Sequence, residues 1–155
     1  RIAWFKVHRP LAFYAAYFTI RAKAFDAIVM CQGIGQVKRR IQEIDDKGKD
    51  ALALEEDMLV TLEVCYEFYL RGFRFETIDL YRSDATKFIM DEEKGTLLPP
   101  FTSVPGLGES TAQYIVEQRK GRVFHSLSEF TSACPKLSRW HIEGLKAAGA
   151  LEGLL

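Results

Sequence analysis

Residues 104–112, with the sequence Val-Pro-Gly-Leu-Gly-Glu-Ser-Thr-Ala, combine a tight turn with the start of a helix. Two glycines one residue apart let the backbone adopt conformations that a Cβ would forbid. A helix that begins directly after such a turn presents N–H groups without partners, and its dipole favours an anion. The run therefore predicts that backbone donors bind a phosphate oxygen, with no recognition of a base and no catalysis.

The residues after the turn extend this prediction to a helix-hairpin-helix element. Ala112 follows Gly108 by four positions, where a small side chain lets a second helix pack closely, and Ile115 and Val116 supply the contact. The alternative is a glycine-rich loop before a helix that binds nothing. The expected DNA-binding residues are Val104, Gly106, Leu107, Gly108, Ser110 and Thr111, with the N–H groups of the last three as donors.

A second, degenerate hairpin is predicted from Phe124 to Leu154, with its turn at residues 134–138. Four basic residues could add phosphate contacts near the two hairpins. Lys136 and Arg139 flank the second turn, and Lys120 and Arg122 follow the helix of the first hairpin. Two alternatives stay open, because the second hairpin either contacts DNA or only supports the first.

Outside the hairpins, the basic triplet Lys38, Arg39 and Arg40 near the start of a predicted helix is either a solvated face or a secondary contact for nucleic acid or a triphosphate. Three cysteines (Cys31, Cys65 and Cys134) are far apart and have no close pairing with histidine, so reduced, buried thiols are expected. We identify no catalytic constellation, and neither a metal nor another cofactor is expected in this chain.

The composition is that of a globular protein of 155 residues, of which 48% are hydrophobic and 27% charged. Its 21 basic and 21 acidic side chains cancel, so the overall basic surplus of many nucleic-acid binders is absent. The net charge is +5 over residues 1–50, −6 over residues 51–100 and +1 over residues 101–155. Phosphate binding must therefore be local and must depend on backbone donors.

No targeting or membrane-spanning segment is predicted. The most apolar early run, Leu11 to Ile20, has about half the length that spans a bilayer, and no signal peptide is recognised, so a cytoplasmic location is expected. Because the chain begins without Met and in a helical pattern, we expect it to be a fragment of a longer protein.

Helical periodicity dominates the chain on both sides of a short β region. The predicted helices are one that ends before Arg9 and others at residues 10–23, 36–46, 52–70, 107–120, 126–133 and 138–148, with Ser126 and Glu129 capping the penultimate one. Short strands are predicted around Ile78 and Leu80, followed by a hairpin of residues 88–90 and 96–98.

The predicted fold class is therefore mainly α with a small β insertion. Pro99-Pro100 ends the β region and is taken as the domain boundary. A helical subdomain over residues 1–98, with a short β hairpin near residues 77–98, is followed by a tandem helix-hairpin-helix domain over residues 99–155.

Four blocks of the chain resemble the C-terminal part of the PolC-type DNA polymerase III alpha subunit, the replicative polymerase of low-GC Gram-positive bacteria. They are residues 1–14 (RIAWFKVHRPLAFY), residues 78–88 (IDLYRSDATKF), Leu98-Pro99-Pro100-Phe101 running into the first hairpin, and residues 149–154 (GALEGL). The first two blocks are far more specific than the hairpin, which occurs in many DNA-handling proteins.

The resemblance implies that residues 1–98 are the late part of a fingers region and that residues 99–155 bind duplex DNA. Nucleotide addition in such polymerases uses palm carboxylates and Mg²⁺, and those segments lie upstream of Arg1, so this chain alone is expected to be non-catalytic. The implied partners are the template–primer duplex and the remaining palm and fingers domains. The family tends to end with a sliding-clamp peptide, and we recognise none before Leu155.

The resulting prediction is a fragment of a bacterial replicative DNA polymerase that binds duplex DNA through backbone phosphates. Two alternatives belong to other classes. One is a free-standing helix-hairpin-helix module for DNA binding or repair, and the other is a protein-interaction scaffold that uses the apolar face of Leu11–Ile20.

Overall fold

The computed structural model describes residues 2–155, without the side chain of Ile2; Arg1, which opens the first family block and the predicted initial helix, lies outside the described residues. In chain order the helices are α1 (Ile2–His8), α2 (Pro10–Ile20), α3 (Ala27–Met30), α4 (Ile34–Lys47), α5 (Ala53–Leu70), α6 (Glu109–Gln118), α7 (Leu127–Ala133) and α8 (Arg139–Ala147). Three short strands, β1 (Arg74–Phe75), β2 (Ile89–Asp91) and β3 (Thr96–Leu98), lie between α5 and α6. The predicted class, mainly α with a small β insertion, is confirmed.

Local signals place most helix boundaries in the first half. Pro10 is the first residue of α2, where the missing N–H of proline costs nothing. The helix ends at Ile20, earlier than predicted, because a 3₁₀ turn at Ala22–Ala24 replaces its last turn. The short helix α3 was not predicted, although Asp26 caps it by accepting hydrogen bonds from two backbone N–H groups.

An aromatic cluster forms the core between the helices and the sheet. Phe68 of α5 is fully buried. Its ring centroid lies 5.3 Å from that of Tyr14, 5.6 Å from that of Phe18 and 4.5 Å from that of Phe75 in β1. The cluster therefore ties α2, α5 and the first strand together.

The sheet has the strand order β1-β3-β2. The antiparallel β2–β3 hairpin is present as predicted, with Met90 opposite Leu97, while β1 pairs in parallel with the other edge of β3. The predicted strand around Ile78 and Leu80 is wrong. Both side chains are buried, but the backbone forms a turn in which the Asp79 carboxylate accepts the N–H groups of the second and third residues after it.

Hydrogen bonds join the loop between β1 and β2 to the part of the chain that contains the last three helices. Arg119, just after α6, donates to the carbonyl oxygens of Leu80 (3.2 Å) and Ser83. The Tyr81 hydroxyl accepts a hydrogen bond of 3.1 Å from the N–H group of Phe124. Residues 78–88, one of the specific family blocks, thus join the helical half to the hairpin half.

Pro99 and Pro100, the predicted domain boundary, are buried. Directly after them, Phe101 is fully buried, and its N–H group donates to the carbonyl oxygen of Asp84 at 3.0 Å. Buried residues on both sides of the proline pair belong to one hydrophobic cluster. The division at residue 98 stays a prediction. Among the described residues, no helix has both the length and the apolar character needed to cross a membrane.

The position of Phe68 predicts a large loss of stability on truncation. We expect Phe68→Ala to lower the free energy of unfolding by about 3–5 kcal/mol, because the removed ring leaves a cavity among its aromatic neighbours. Urea denaturation followed by circular dichroism measures the change, with Phe5→Ala as the control, since Phe5 is 51% exposed. Equal losses for the two variants would contradict the assignment of the core.

Candidate nucleic-acid interface

The first hairpin is a tight turn fixed to the core by two apolar side chains. Val104 and Leu107 are 1% and 4% exposed, and the N–H group of Leu107 closes the turn by donating to the carbonyl oxygen of Val104 at 3.1 Å. Gly106 lies at the apex with φ +82°, a conformation that favours glycine. The helix before the turn is reduced to one 3₁₀ turn, Phe101–Ser103, and α6 follows it.

The first turn of α6 has no side-chain cap. The helix itself begins at Glu109, two residues later than the predicted start at Leu107. Gly108 occupies the N-cap position, and it has no side-chain oxygen to accept a hydrogen bond. Helix geometry leaves the N–H groups of the next three residues without intrahelical acceptors, and these include the predicted donors Ser110 and Thr111. Their backbone donors, together with the helix dipole, suit an anion.

The two helices that follow are capped by serine, which sets α6 apart from them. Ser126 accepts a hydrogen bond of 3.1 Å from the N–H group of Glu129, as predicted, and Ser138 accepts one of 3.3 Å from that of His141. Among α6, α7 and α8, the first turn of α6 is therefore the one left open to an external acceptor.

The two hairpin glycines have different surroundings. A Cβ on Gly106 would overlap the indole nitrogen of Trp140, and the positive φ adds strain. A Cβ on Gly108 would meet no atom within 4 Å, and φ of −77° suits any residue. The fold therefore requires glycine at position 106, whereas glycine at position 108 leaves the start of α6 unobstructed.

Helix α8 of the second hairpin supports the first. A Cβ on Gly144 would lie 2.9 Å from Cγ1 of Val104, so the two segments approach as closely as a glycine allows. One turn earlier on the same helix face, the indole of Trp140 covers Gly106. The second hairpin therefore supports the first, which is one of the two alternatives that the sequence left open. DNA contact by the second hairpin stays a prediction.

Two of the predicted basic residues, Lys136 and Arg139, lie at the second turn. The ammonium group of Lys136 is 5.5 Å from the ring centroid of Tyr114 on α6. Arg139 is exposed as the first residue of α8. Burial raises the pKa of the Cys134 thiol within this turn. Arg122 is exposed in the loop that follows α6.

The other predicted basic residues are not gathered at a hairpin. Lys120 forms an ion pair of 2.9 Å with Glu117 and lies past the C-terminal end of α6, roughly 15 Å along the helix from its first turn. The three residues of the basic triplet on α4 have different surroundings, because Arg40 forms ion pairs of 3.2 Å with both Glu43 and Glu55. Lys38 and Arg39 are exposed.

Sequence reasoning missed a cleft of about 660 Å³ beside the first hairpin. Residues 104–109 form one wall and residues 19–25 form the other. Arg21 in this cleft is paired with Asp57 at 3.0 Å, while the neighbouring Lys23 is exposed. No local pattern predicts this proximity, because the two walls are about 80 residues apart in the chain. Within residues 2–155, no three His, Cys, Asp or Glu side chains are grouped to hold a metal ion.

The contrast between the two glycines predicts different effects on stability. We expect Gly106→Ala to lower the free energy of unfolding by about 1–3 kcal/mol, because the methyl group meets Trp140 in a strained conformation. Gly108→Ala should change it by less than about 1 kcal/mol, because the lower conformational entropy of alanine in the unfolded chain is offset by its poorer preference for the N-cap position. Urea denaturation of both variants measures the difference, and a similar loss at both positions would contradict this description of the turn.

Known polymerases contain segments similar to almost the whole chain. Over 154 residues, it is 46% identical to DNA polymerase III PolC-type of Lactococcus lactis, 47% identical to that of Bacillus cereus and 46% identical to that of Caldanaerobacter subterraneus. Each match covers 99% of this chain but only 9%, 10% and 11% of the respective relative, so the chain spans about a tenth of their length. The resemblance inferred from the sequence blocks is confirmed.

A family model agrees with the geometry of the two turns. The model described as "Helix-hairpin-helix motif" matches residues 72–155, which is more than half of the chain. The match includes both turns and the connecting loop that holds α6 in place. On this match, the chain belongs to the helix-hairpin-helix family.

Proposed function

We propose that this chain is part of a bacterial replicative DNA polymerase of the PolC type and that its first hairpin holds the phosphate backbone of the template–primer duplex. The observation that carries the proposal is the uncapped start of α6, where Gly108 leaves the N–H groups unobstructed. The donors are the backbone N–H groups of Gly108, Ser110 and Thr111.

Backbone donors explain how a chain without net charge binds DNA. The net charge of residues 101–155 is only +1, so general attraction to DNA is weak. Hydrogen bonds to one or two phosphates per hairpin carry no information about base sequence. Because backbone N–H donors carry no net charge and few basic side chains are near, affinity falls only shallowly with salt. The proposed role is therefore a weak, non-specific hold that adds to contacts elsewhere in a longer polymerase.

The similarity to PolC-type polymerases supports the proposal that the chain is part of such a polymerase. Because the chain covers only a small share of those relatives, we propose only part of the function of a polymerase for it. We assign nucleotide addition, palm carboxylates and Mg²⁺ to other parts of the parent polymerase, so this segment is non-catalytic by itself. Its further partners are then the remaining palm and fingers domains. The proposed location is the cytoplasm, where bacterial chromosomes are replicated.

The structure leaves little exposed apolar surface on α2 for the alternative function, a protein-interaction scaffold. It relied on the apolar face of α2, but Leu11, Tyr14 and Phe18 of that helix are buried within the chain. Ile20 stays 84% exposed at the end of the helix. A single exposed isoleucine is a small surface for a stable protein interface, which normally buries about 800 Å² on each partner. DNA binding is therefore the better use of the described surface.

Blocking the start of α6 tests the proposal. We expect Gly108→Val to weaken binding of a short DNA duplex by at least about tenfold, or 1.4 kcal/mol, because the branched side chain keeps phosphate from the N–H groups. The helical content should be unchanged, since the position is open. Fluorescence anisotropy with labelled duplex at low salt measures the affinity.

Gly153→Val is the matched control for this substitution. Gly153 also has no neighbour within 4 Å of a Cβ and has no positive φ, but it lies in the 3₁₀ turn Glu152–Leu154, outside both hairpin turns. This variant should bind as the wild-type chain does. Equal affinity of Gly108→Val and wild type would rule out the backbone donors as the binding site.

The salt dependence of binding distinguishes the two roles of the second hairpin. We propose that Lys136 and Arg139 each contact a phosphate, so Lys136→Gln and Arg139→Gln should each reduce the slope of log K against log salt by about 1, equally for duplexes of different sequence. Titrations at several salt concentrations give the slope, with Lys49→Gln as the control, since Lys49 is exposed in the 3₁₀ turn Gly48–Asp50 and lies outside both hairpins. Unchanged slopes for both variants would leave the second hairpin with a supporting role alone.

A further inference from the structure

The cleft beside the first hairpin lies between the hairpin and the helical half of the chain. Its wall on the hairpin side includes Gly108 and Glu109, so the start of α6 borders the cleft. The other wall is formed by the end of α2 and the 3₁₀ turn Ala22–Ala24, whose Cα atoms come within 8 Å of those of the 3₁₀ turn Phe101–Ser103. A phosphate bound at the start of α6 therefore lies at the edge of a cleft whose second wall comes from the helical half.

Contacts on both sides of Lys23 fix this second wall in place. Arg21 forms an ion pair of 3.0 Å with the carboxylate of Asp57 and donates to the carbonyl oxygen of the same residue at 2.9 Å. Phe25 is buried, and its ring centroid lies 5.0 Å from that of Phe88. The backbone on either side of Lys23 is therefore anchored, whereas the Lys23 side chain itself is exposed.

Lys23 is the cation of this wall that can accept an anionic partner. The charge of Arg21 is balanced by Asp57, but Lys23 forms no ion pair with any residue that the structure describes. A lysine ammonium on its flexible stem is a common ligand for backbone phosphate. Ile20, exposed on the same wall, offers an apolar contact to a deoxyribose. The wall therefore suits the alternation of phosphate and sugar along a DNA strand.

Glu109 brings a charge of the opposite sign to the hairpin wall of the same cleft. Its side chain is exposed as the first residue of α6, and it has no ion pair among residues 2–155. A carboxylate at this position repels a phosphate, whereas the ammonium group of Lys23 attracts it. The two side chains therefore have effects of opposite sign on a strand in the cleft, and each effect is measurable by itself.

Given the proposed function of the first hairpin, on which this inference rests, we propose that the DNA strand held at the start of α6 runs through the cleft. Lys23 then binds the phosphate next to the one that the backbone N–H groups of α6 bind. The helical half thereby contributes directly to DNA binding instead of only supporting the hairpins. Phosphates are common to every nucleotide, so the contact adds affinity without base specificity.

Charge-neutral substitutions in the full 155-residue chain test the path of the strand. We expect Lys23→Gln to weaken duplex binding about three- to tenfold at low salt and to reduce the slope of log K against log salt by about 1. Glu109→Gln should strengthen binding, because a repulsive charge is removed. Lys49→Gln, which removes the charge of an exposed lysine that does not line the cleft, should bind as the wild type does. Fluorescence anisotropy measures the affinities, and circular dichroism shows that each variant is folded.

Chemical protection of lysines locates the contact without any substitution. Brief acetylation with acetic anhydride, followed by mass spectrometry of the digested chain, measures the reactivity of each ammonium group. With saturating duplex, Lys23 should lose reactivity, to the same extent for two unrelated sequences. Lys49 should react as it does in the free chain.

The outcomes distinguish a wrong strand path from a wrong binding site. If Gly108→Val loses binding while Lys23→Gln binds as the wild type does and Lys23 stays reactive, the hairpin binds DNA but the strand passes outside the cleft. If Lys49→Gln weakens binding as much as Lys23→Gln, the effect is a general attraction and the cleft contact is wrong. If the wild-type chain binds neither duplex at low salt, both proposals are wrong. Weaker binding of Lys23→Gln alone of the two lysine variants, together with protection of Lys23, establishes the contact.

Discussion

The structure of the hairpin half depends on one tight turn that is packed against the protein on two sides. Gly106 takes a positive φ that other residues avoid, and it can do so because the apolar residues on either side of it, Val104 and Leu107, are buried in the core below. From the other side, α8 closes over the turn through Gly144 and Trp140. This clamp directs the chain into α6 with Gly108 at the N-cap, so the first N–H groups of that helix have neither an intrahelical acceptor nor a side-chain cap.

The clamp in turn depends on residues that precede the proline pair. Arg119 after α6 is anchored to the carbonyl oxygens of the loop between β1 and β2, and Asp84 of that loop receives the N–H group of Phe101 just before the hairpin. The family match begins at residue 72, so it includes this loop as well as the hairpins. The surface proposed to hold DNA is therefore positioned by the sheet region and its aromatic core as well as by its own two turns.

Features set by neighbours in the chain were predictable from the sequence. Pro10 marks the start of α2, Ser126 caps α7, and the spacing of two glycines before Ala112 indicates the turn and the helix that follows. Each signal acts within a few residues, so the tertiary structure has little freedom to override it.

Features set by distant contacts were not predictable in this way. Ile78 and Leu80 have the alternation of a strand, but the Asp79 carboxylate binds the local N–H groups and bends the chain into a turn. The two-residue strand β1 exists because it can pair with β3, which lies about 20 residues later. The placement of Trp140 on Gly106 depends on how the two hairpins pack, and no local pattern contains that information.

Nuclear magnetic resonance of the ¹⁵N-labelled chain shows for each amide separately whether the backbone N–H groups at the start of α6 bind phosphate. On titration with two short duplexes of unrelated sequence, we expect the largest amide shift changes on Gly108, Ser110 and Thr111, in the same pattern for both duplexes. Changes concentrated on another face of the chain, with these three amides unaffected, would contradict phosphate binding at this helix start.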